Sequence, residues 1–203
     1  MSDLRLLLIR HGEVSNSDHV VYGDLDGFHL SPLGVRQAHE TATHLRREDI
    51  DAVICSPLAR AKETATAVAS HHNLDITADK RLTESGQFPH WTGHTWGDIP
   101  QLFPGELESY LDNADAAGAH ESLAEVGARV VSVVDELADR GALCIAIASH
   151  QDPIQAARIT LLGQDLAQLR VNPPGHADVV SMIRNHQLAW RETQQWSPSV
   201  STG

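Results

Sequence analysis

The chain has 203 residues, of which 41% are hydrophobic and 21% charged, with 15 Lys and Arg against 27 Asp and Glu for a net charge of −12. This is ordinary globular composition for one domain and argues against wholesale disorder. The acidic balance argues against nucleic-acid binding, which needs a basic face, and no apolar run nears the ~20 residues of a membrane helix.

The first element expected is a strand over Leu4 to Ile9, a short apolar run. Ser31-Pro32 then has the form of an N-cap followed by proline in the first turn. Val35, Ala38, Ala42 and Leu45 follow at helical spacing. Asp51 to Cys55 is a second short apolar strand. Ser56-Pro57 repeats the cap-and-proline pattern ahead of a helix marked by Ala61, Ala65 and Val68. From about Leu82 to His120 the pattern is irregular, with Gly and Pro scattered through it.

Leu123, Val126, Val130, Val133 and Leu137 form one stripe of an amphipathic helix that Gly141 terminates. Ala142 to Ala148 is apolar throughout, as a strand buried on both faces would be. Ile154, Ala157 and Leu161 suggest another helix. Val179 to Ile183 and Gln187 to Trp190, separated by Arg184-Asn185-His186, have the form of a hairpin, and the tail after Trp196 that of a frayed terminus. Alternating strands and helices imply an α/β fold: a three-layer αβα sandwich around a mostly parallel sheet, the hairpin adding an antiparallel edge strand. Cys55 and Cys144 lie in apolar runs and suit buried thiols, not a disulfide. With no signal peptide visible in the first ten residues, a cytoplasmic setting is expected.

Ligands of open α/β sheets bind beyond the carboxyl ends of the strands. Arg10-His11-Gly12-Glu13 follows the first strand, Ser56-Pro57-Leu58-Ala59-Arg60 the second, and Ser149-His150 the third. Two histidines and two arginines therefore converge on one edge. Guanidinium forks match phosphate oxygens, a neutral imidazole can attack phosphorus, and flanking arginines favour the neutral imidazole.

These residues, with Leu30-Ser31-Pro32-Leu33-Gly34, Gln37-Ala38, Ala61, Thr64, Leu82-Thr83-Glu84, Trp91-Thr92-Gly93 and Glu121-Ser122, resemble the histidine phosphatase superfamily, the phosphoglycerate-mutase-like group, over nearly the whole chain. The resemblance implies a single domain over 1–203 with a cap-like insertion at about 85–120. It implies a metal-independent phosphatase, without cofactor, that hydrolyses a small-molecule phosphomonoester through a phosphohistidine and releases inorganic phosphate. His11 would be the nucleophile. Arg10, Arg60 and His150 would hold the phosphoryl oxygens, and Glu84 would be the general acid and base, with Asp152 a rival.

Where many members carry Asn six residues after the nucleophile, this chain has Ser17, with Asn16 one earlier; either is a candidate phosphate contact. Gln151 stands where the family often has Gly, and Gln151 and Trp91 are further candidates for substrate binding. A phosphomutase and a catalytically weak phosphate-recognition protein are the alternatives. The oligomeric state is open, a homodimer being one option, with Trp190 and Trp196 covering either the sheet edge or an interface.

Between Arg81 and Arg129 there is no Lys or Arg, while acids and the aromatics Phe88, Trp91, Trp96, Phe103 and Tyr110 abound. A cap of that composition is expected to favour a neutral, cationic or apolar leaving group. His90 and His94 have the spacing of a helical metal pair, but Gly93 argues against a helix and no further ligand completes a set.

Overall fold

The computed structural model describes residues 3–86, 88–112, 120–185 and 189–200. Six strands form one sheet: β1 (Leu4–Arg10), β2 (Ala52–Cys55), β3 (Ile76–Ala78), β4 (Cys144–Ser149), β5 (Val179–Arg184) and β6 (Trp190–Trp196). Their order is β3-β2-β4-β1-β5-β6. The first four are mutually parallel, and β5 and β6 run antiparallel. β5 pairs antiparallel with β1 and β6 antiparallel with β5, so the expected hairpin closes this edge of the sheet.

The helices α1 (Pro32–Leu45) and α2 (Ala59–Ala69) follow β1 and β2 as the chain moves outward to β3. The helix α5 (Leu123–Asp139) brings it back to β4, beside β1, and α6 (Gln151–Leu162) follows. Crossovers in opposite directions, each right-handed, place their helices on opposite faces. The core shows this division. Leu6 and Leu8 pack with Val130, Val133, Val134 and Ile154, whereas Leu7 and Ile9 pack with Ala42, Leu45, Ala65 and Val68. Each of these four β1 residues is at most 1% exposed, so burial stabilises both faces of this strand, by about 1.5–3 kcal/mol for each such side chain.

Local signals account for most helix ends. Ser31 caps α1, its Oγ accepting from Gly34 N at 3.0 Å with Pro32 in the first turn. Ser122 and Glu125 form a reciprocal capping box on α5. Gly141 lies one residue past the C-cap Arg140 of α5 with φ +95, a conformation that favours glycine. The second cap-and-proline pattern is different. The helix α2 begins at Ala59 with Leu58 in the cap position and no side-chain cap; the Ser56 hydroxyl, three residues before Ala59, accepts from Leu58 N at 3.3 Å and lies 2.8 Å from His150 Nε2.

Several expectations are corrected at the sheet edges. The strand β3 was not anticipated, being three residues long and mostly exposed. The last strand is Trp190–Trp196, not Gln187 to Trp190; Gln187 lies outside the described residues. The tail does not fray at Trp196, since the Ser199 backbone N–H donates to Glu40 Oε2 at 2.7 Å. Trp190 packs on one core cluster and Trp196 on the other, so both tryptophans cover the sheet.

The irregular stretch contains a 3-10 turn (Pro89–Trp91) and two short helices, α3 (Ile99–Leu102) and α4 (Glu106–Asp112). Its aromatics form their own small core: Phe88, Trp91 and Ile99 are buried, with Val21, Phe103, Leu107 and Tyr110 against them. No helix among the described residues is long and apolar enough to cross a membrane.

Candidate active site

The loop after β1 is set by the start of α1 and by α2. Gly12 N donates to Thr64 Oγ1 (3.1 Å), Glu13 N to Gln37 Oε1 (2.9 Å), and Ser31 Oγ to Glu13 Oε1 (2.6 Å). The backbone of α1 comes so close that a Cβ on Gly34 would lie 2.0 Å from the Glu13 carbonyl oxygen. These are the residues that carried the sequence resemblance, and here they form the support beneath His11.

His11 is 1% exposed. Its Nδ1 lies 2.7 Å from the Gly12 carbonyl oxygen, which can only accept, so Nδ1 carries the proton and Nε2 the lone pair. The imidazole's pKa is held well below its ordinary value, first by burial and then by Arg10 and Arg60. Burial therefore outweighs the flanking charges on which the sequence argument relied. The His150 ring stands 5.2 Å from that of His11, edge to face, and burial again leads the causes that keep it neutral. Its Nε2 is 2.8 Å from Ser56 Oγ.

Arg60 is fully buried and donates to the carbonyls of Leu25 (3.0 Å) and Gly23 (2.6 Å), with its guanidinium carbon 4.8 Å from the centre of the Tyr22 ring. Arg10 donates through Nη1 to Gln151 Oε1 (2.7 Å) and the Pro174 carbonyl (2.9 Å), and through Nη2 to His176 Nε2 (3.2 Å). Burial and Arg10 push His176 down to about 4, so it stays a neutral acceptor. It precedes Ala177, a non-glycine residue at φ +58, a strain of about 1–2 kcal/mol. Hydrogen bonds from Ala177 N to the His11 carbonyl (3.1 Å) and from Thr41 Oγ1 to the Ala177 carbonyl (2.7 Å) hold that turn.

Glu84 follows the 3-10 turn Lys80–Leu82. Arg129, paired with Glu121 at 2.6 Å, fixes this segment by donating to the carbonyls of Arg81 (2.5 Å) and Glu84 (3.5 Å). Glu84 Oε1 accepts from Ser85 N at 2.8 Å. Burial, and then the neighbouring carboxylate of Asp152, raise its pKa to about 7. Asp152 is more fully engaged: Oδ2 accepts from Tyr110 OH (3.3 Å) and Ser85 Oγ (3.4 Å), and Oδ1 lies 3.5 Å from Arg170 Nη1.

Buried polar atoms without a hydrogen-bond partner concentrate here. Among the described residues they are Arg10 Nε, Arg60 Nε, His150 Nδ1, Arg170 Nε and Nη2, and, away from the site, His72 Nε2. Native interiors leave few such atoms, and guanidinium donors grouped around a buried imidazole form a receptor for an anion.

A cavity of 630 Å³ adjoins this group. Its lining includes Arg10, Glu84, Gln151, Asp152, Arg170 and His176, and the apolar and aromatic side chains Phe88, Trp91, Trp96, Leu107 and Leu111. Trp91 is fixed by stacking on Phe88 at 4.2 Å and by donating to Glu106 at 2.8 Å. The structure thus brings together Arg10, His11, Arg60, Glu84, His150, Gln151 and Trp91.

Asn16 and Ser17 are not brought in. Both ends of the Asn16 amide bond the backbone of Val20, Ser17 is exposed and bonded to Asp18, and neither lines the cavity. His90 pairs with Glu106 at 2.6 Å, and no group of three or more potential metal ligands occurs among the described residues.

Sequence reasoning missed His176 and Arg170. His176 precedes β5, which is antiparallel to β1, so its start lies beside the end of β1, with Ile9 opposite Val179. That topological signal was present in the expected antiparallel strand. Arg170 ends the 3-10 helix Leu166–Arg170. It brings a cation to the cavity from outside the stretch between Arg81 and Arg129.

Residues 6–194 match the family model described as "Histidine phosphatase superfamily (branch 1)". The protein Rv0525 of Mycobacterium tuberculosis is 38% identical over 163 residues, 78% of this chain and 79% of the relative. A probable phosphoglycerate mutase, GpmB, of Yersinia enterocolitica is 31% identical over 98% of this chain and 89% of its own. Among solved structures, the mycobacterial glucosyl-3-phosphoglycerate phosphatase Rv2419c superposes with a TM-score of 0.84 at 26% identity, covering 97% of this chain and 100% of that one. The same phosphatase has been solved with inorganic phosphate.

Proposed function

The chain belongs to the histidine phosphatase superfamily, and from that premise we propose that it is a phosphomonoesterase that hydrolyses a small-molecule phosphomonoester through a phosphohistidine on His11. The observation that carries this reading is the set of unpartnered buried donors on Arg10 and Arg60, with the open Nδ1 of His150, around an imidazole whose Nδ1–H is already engaged by Gly12.

The substrate phosphoryl group takes those donors, which also stabilise the charge that builds on its oxygens in the transition state. His11 Nε2 attacks phosphorus, the P–N bond forming as the bond to the alcohol oxygen breaks. Glu84, whose raised pKa of about 7 keeps part of the population protonated near neutral pH, gives its proton to the departing oxygen. As the carboxylate it then takes a proton from water, which attacks the phosphohistidine and releases inorganic phosphate and free His11. Asp152, tied to Tyr110, Ser85 and Arg170, is the weaker candidate for that proton. Gln151 and His176 orient Arg10, and residues 85–120 act as a cap whose aromatics, Trp91 among them, face the alcohol half of the substrate. No step requires a metal. The free, buried Cys55 and Cys144 suit a reducing cytoplasmic setting.

The similarity to a probable phosphoglycerate mutase supports a second reading, in which a hydroxyl rather than water accepts the phosphoryl group. Phosphate release from a panel of phosphomonoesters in the presence of EDTA, with His11→Ala as control, separates the two. Release by wild type alone supports the phosphatase. Transfer of label to a second hydroxyl without release supports the mutase.

A further inference from the structure

We propose that Ser56 is a positioning residue: its hydroxyl donates to His150 Nε2 and so holds the His150 proton on Nδ1, from which it is donated to an oxygen of the phosphoryl group. The proposal rests on the reading of Arg10, His11, Arg60 and His150 as the phosphoryl site, and it adds what fixes the second histidine in its productive form.

The sheet brings the two residues together. The strands β2 and β4 are parallel neighbours with Cys55 opposite Ala148, and Ser56 N donates to the Ala148 carbonyl at 2.9 Å. Ser56 therefore leaves the sheet beside Ser149 and His150. Both Ser56 and His150 are fully buried. Ser56 Oγ lies 3.3 Å from Leu58 N and 2.8 Å from His150 Nε2.

Counting protons assigns the direction of each bond. A backbone N–H can only donate, so Ser56 Oγ accepts from Leu58. The hydroxyl keeps one hydrogen to give, and His150 Nε2 is the acceptor within reach. In the other tautomer Nε2 would carry the proton, Oγ would accept twice, and the hydroxyl hydrogen would be buried without an acceptor, which native interiors avoid. Burial keeps His150 neutral, so its single ring proton is either on Nδ1 or on Nε2. Nδ1 is buried and has no partner within the protein. A bare lone pair there would repel an anion, whereas an N–H binds one.

The two histidines are thus fixed by opposite partners. The Gly12 carbonyl accepts from His11 and leaves that ring a lone pair on Nε2. The Ser56 hydroxyl donates to His150 and leaves that ring a proton on Nδ1. With the rings 5.2 Å apart, the first supplies the nucleophile and the second a donor to the oxygens of the same group.

The tautomer is read by NMR of protein isotope-labelled at the histidine ring nitrogens, with the His150 signals assigned by their loss in His150→Ala. In the ligand-free wild type, Nδ1 should be the protonated nitrogen and Nε2 the bare one. A proton on Nε2 overturns the proposal. In Ser56→Ala the signals should move towards a mixture of the two forms, and an unchanged Nδ1–H form overturns the role of Ser56.

Binding separates this role from a merely structural one. The affinity for inorganic phosphate, measured by calorimetry, should fall by about three- to ten-fold in Ser56→Ala, as the competent form of the ring becomes a minor population. On the His150→Ala background the same substitution should cost nothing further, because Ser56 acts through that ring. A full additional loss on that background overturns the proposal. Neither readout needs turnover, so a wild type that hydrolyses no ester sinks the phosphatase reading alone, and the tautomer stands or falls by the ring-nitrogen signals.

Discussion

His11 Nδ1 lies 2.7 Å from the carbonyl oxygen of Gly12, its own chain neighbour, and this contact decides which ring nitrogen is free to react. The carbonyl accepts the Nδ1 proton, Nε2 keeps the lone pair, and burial with Arg10 and Arg60 keeps the ring neutral. The position of Gly12 is in turn fixed by Thr64 and by close packing on Gly34, so the tautomer follows from how the first loop seats on two helices.

Glu84 should reveal itself through leaving-group and pH dependence. Its pKa of about 7 means that the proton-donating form is lost as pH rises through that value. Turnover of alkyl phosphates should therefore fall above pH ~7, while p-nitrophenyl phosphate, whose leaving group needs little protonation, should be less affected. Glu84→Gln should slow alkyl phosphates by about 10²–10⁴-fold, p-nitrophenyl phosphate much less, and remove the alkaline limb. Equal losses across leaving groups would remove Glu84 from the acid role.

Stability should fall on mild acidification. His11, His150 and His176 all have folded pKa values below the ordinary 6.5, so below pH 6.5 the unfolded chain binds protons that the folded one refuses. Glu84 acts in the opposite sense, its folded form binding a proton between pH 7 and 4.5 that the unfolded chain does not. Three groups against one give a net loss, and the urea midpoint should drop from pH 7 to pH 5. A flat or rising midpoint would contradict the buried, neutral state of these rings.

Gly34→Ala tests the seat of the loop. The added Cβ would meet the Glu13 backbone oxygen at 2.0 Å, so helix α1 or the loop must shift. Overpacking of this kind costs about 3 kcal/mol, which for a chain of this size lowers Tm by about 6–12 °C. Because the displaced loop carries His11, activity should fall as well. A Tm within about 1 °C of wild type would mean that the contact is not tight.

His176→Leu should weaken phosphate binding through Arg10. The substitution removes the acceptor 3.2 Å from Arg10 Nη2 and frees the guanidinium to rotate. KM should rise by about ten-fold, the loss of one hydrogen bond to a charged group, with a smaller change in kcat. His176→Gln, which can supply an acceptor, should recover part of the effect. A pure kcat defect would point instead to a role at the reacting atoms.

The sheet's centre was legible in the sequence because β1, β2 and β4 are continuous apolar runs that must be covered on both faces. The strand β3 was not, being three residues long, and β6 was read as the hairpin's second arm with its bounds misplaced, since Trp-Arg-Glu-Thr-Gln-Gln-Trp lies at an exposed edge where polar residues are tolerated. The site divides along the same line. Arg10, His11, Arg60 and His150 follow parallel strands, where position alone implies convergence. Ser56 was read locally as a helix cap, but its hydroxyl is held by His150, 94 residues away. Arg170 and His176 sit in segments without a period, and only the tertiary path from α6 to β5 brings them to the cavity.

The most direct test of the central claim is to trap the phosphoryl enzyme by rapid quench with a radiolabelled phosphomonoester. Wild type should hold label that is stable to base and labile to acid, as a phosphorus–nitrogen bond is, and His11→Ala should hold none and release no phosphate. Label retained by His11→Ala, or phosphate released by it, would show that His11 is not the nucleophile.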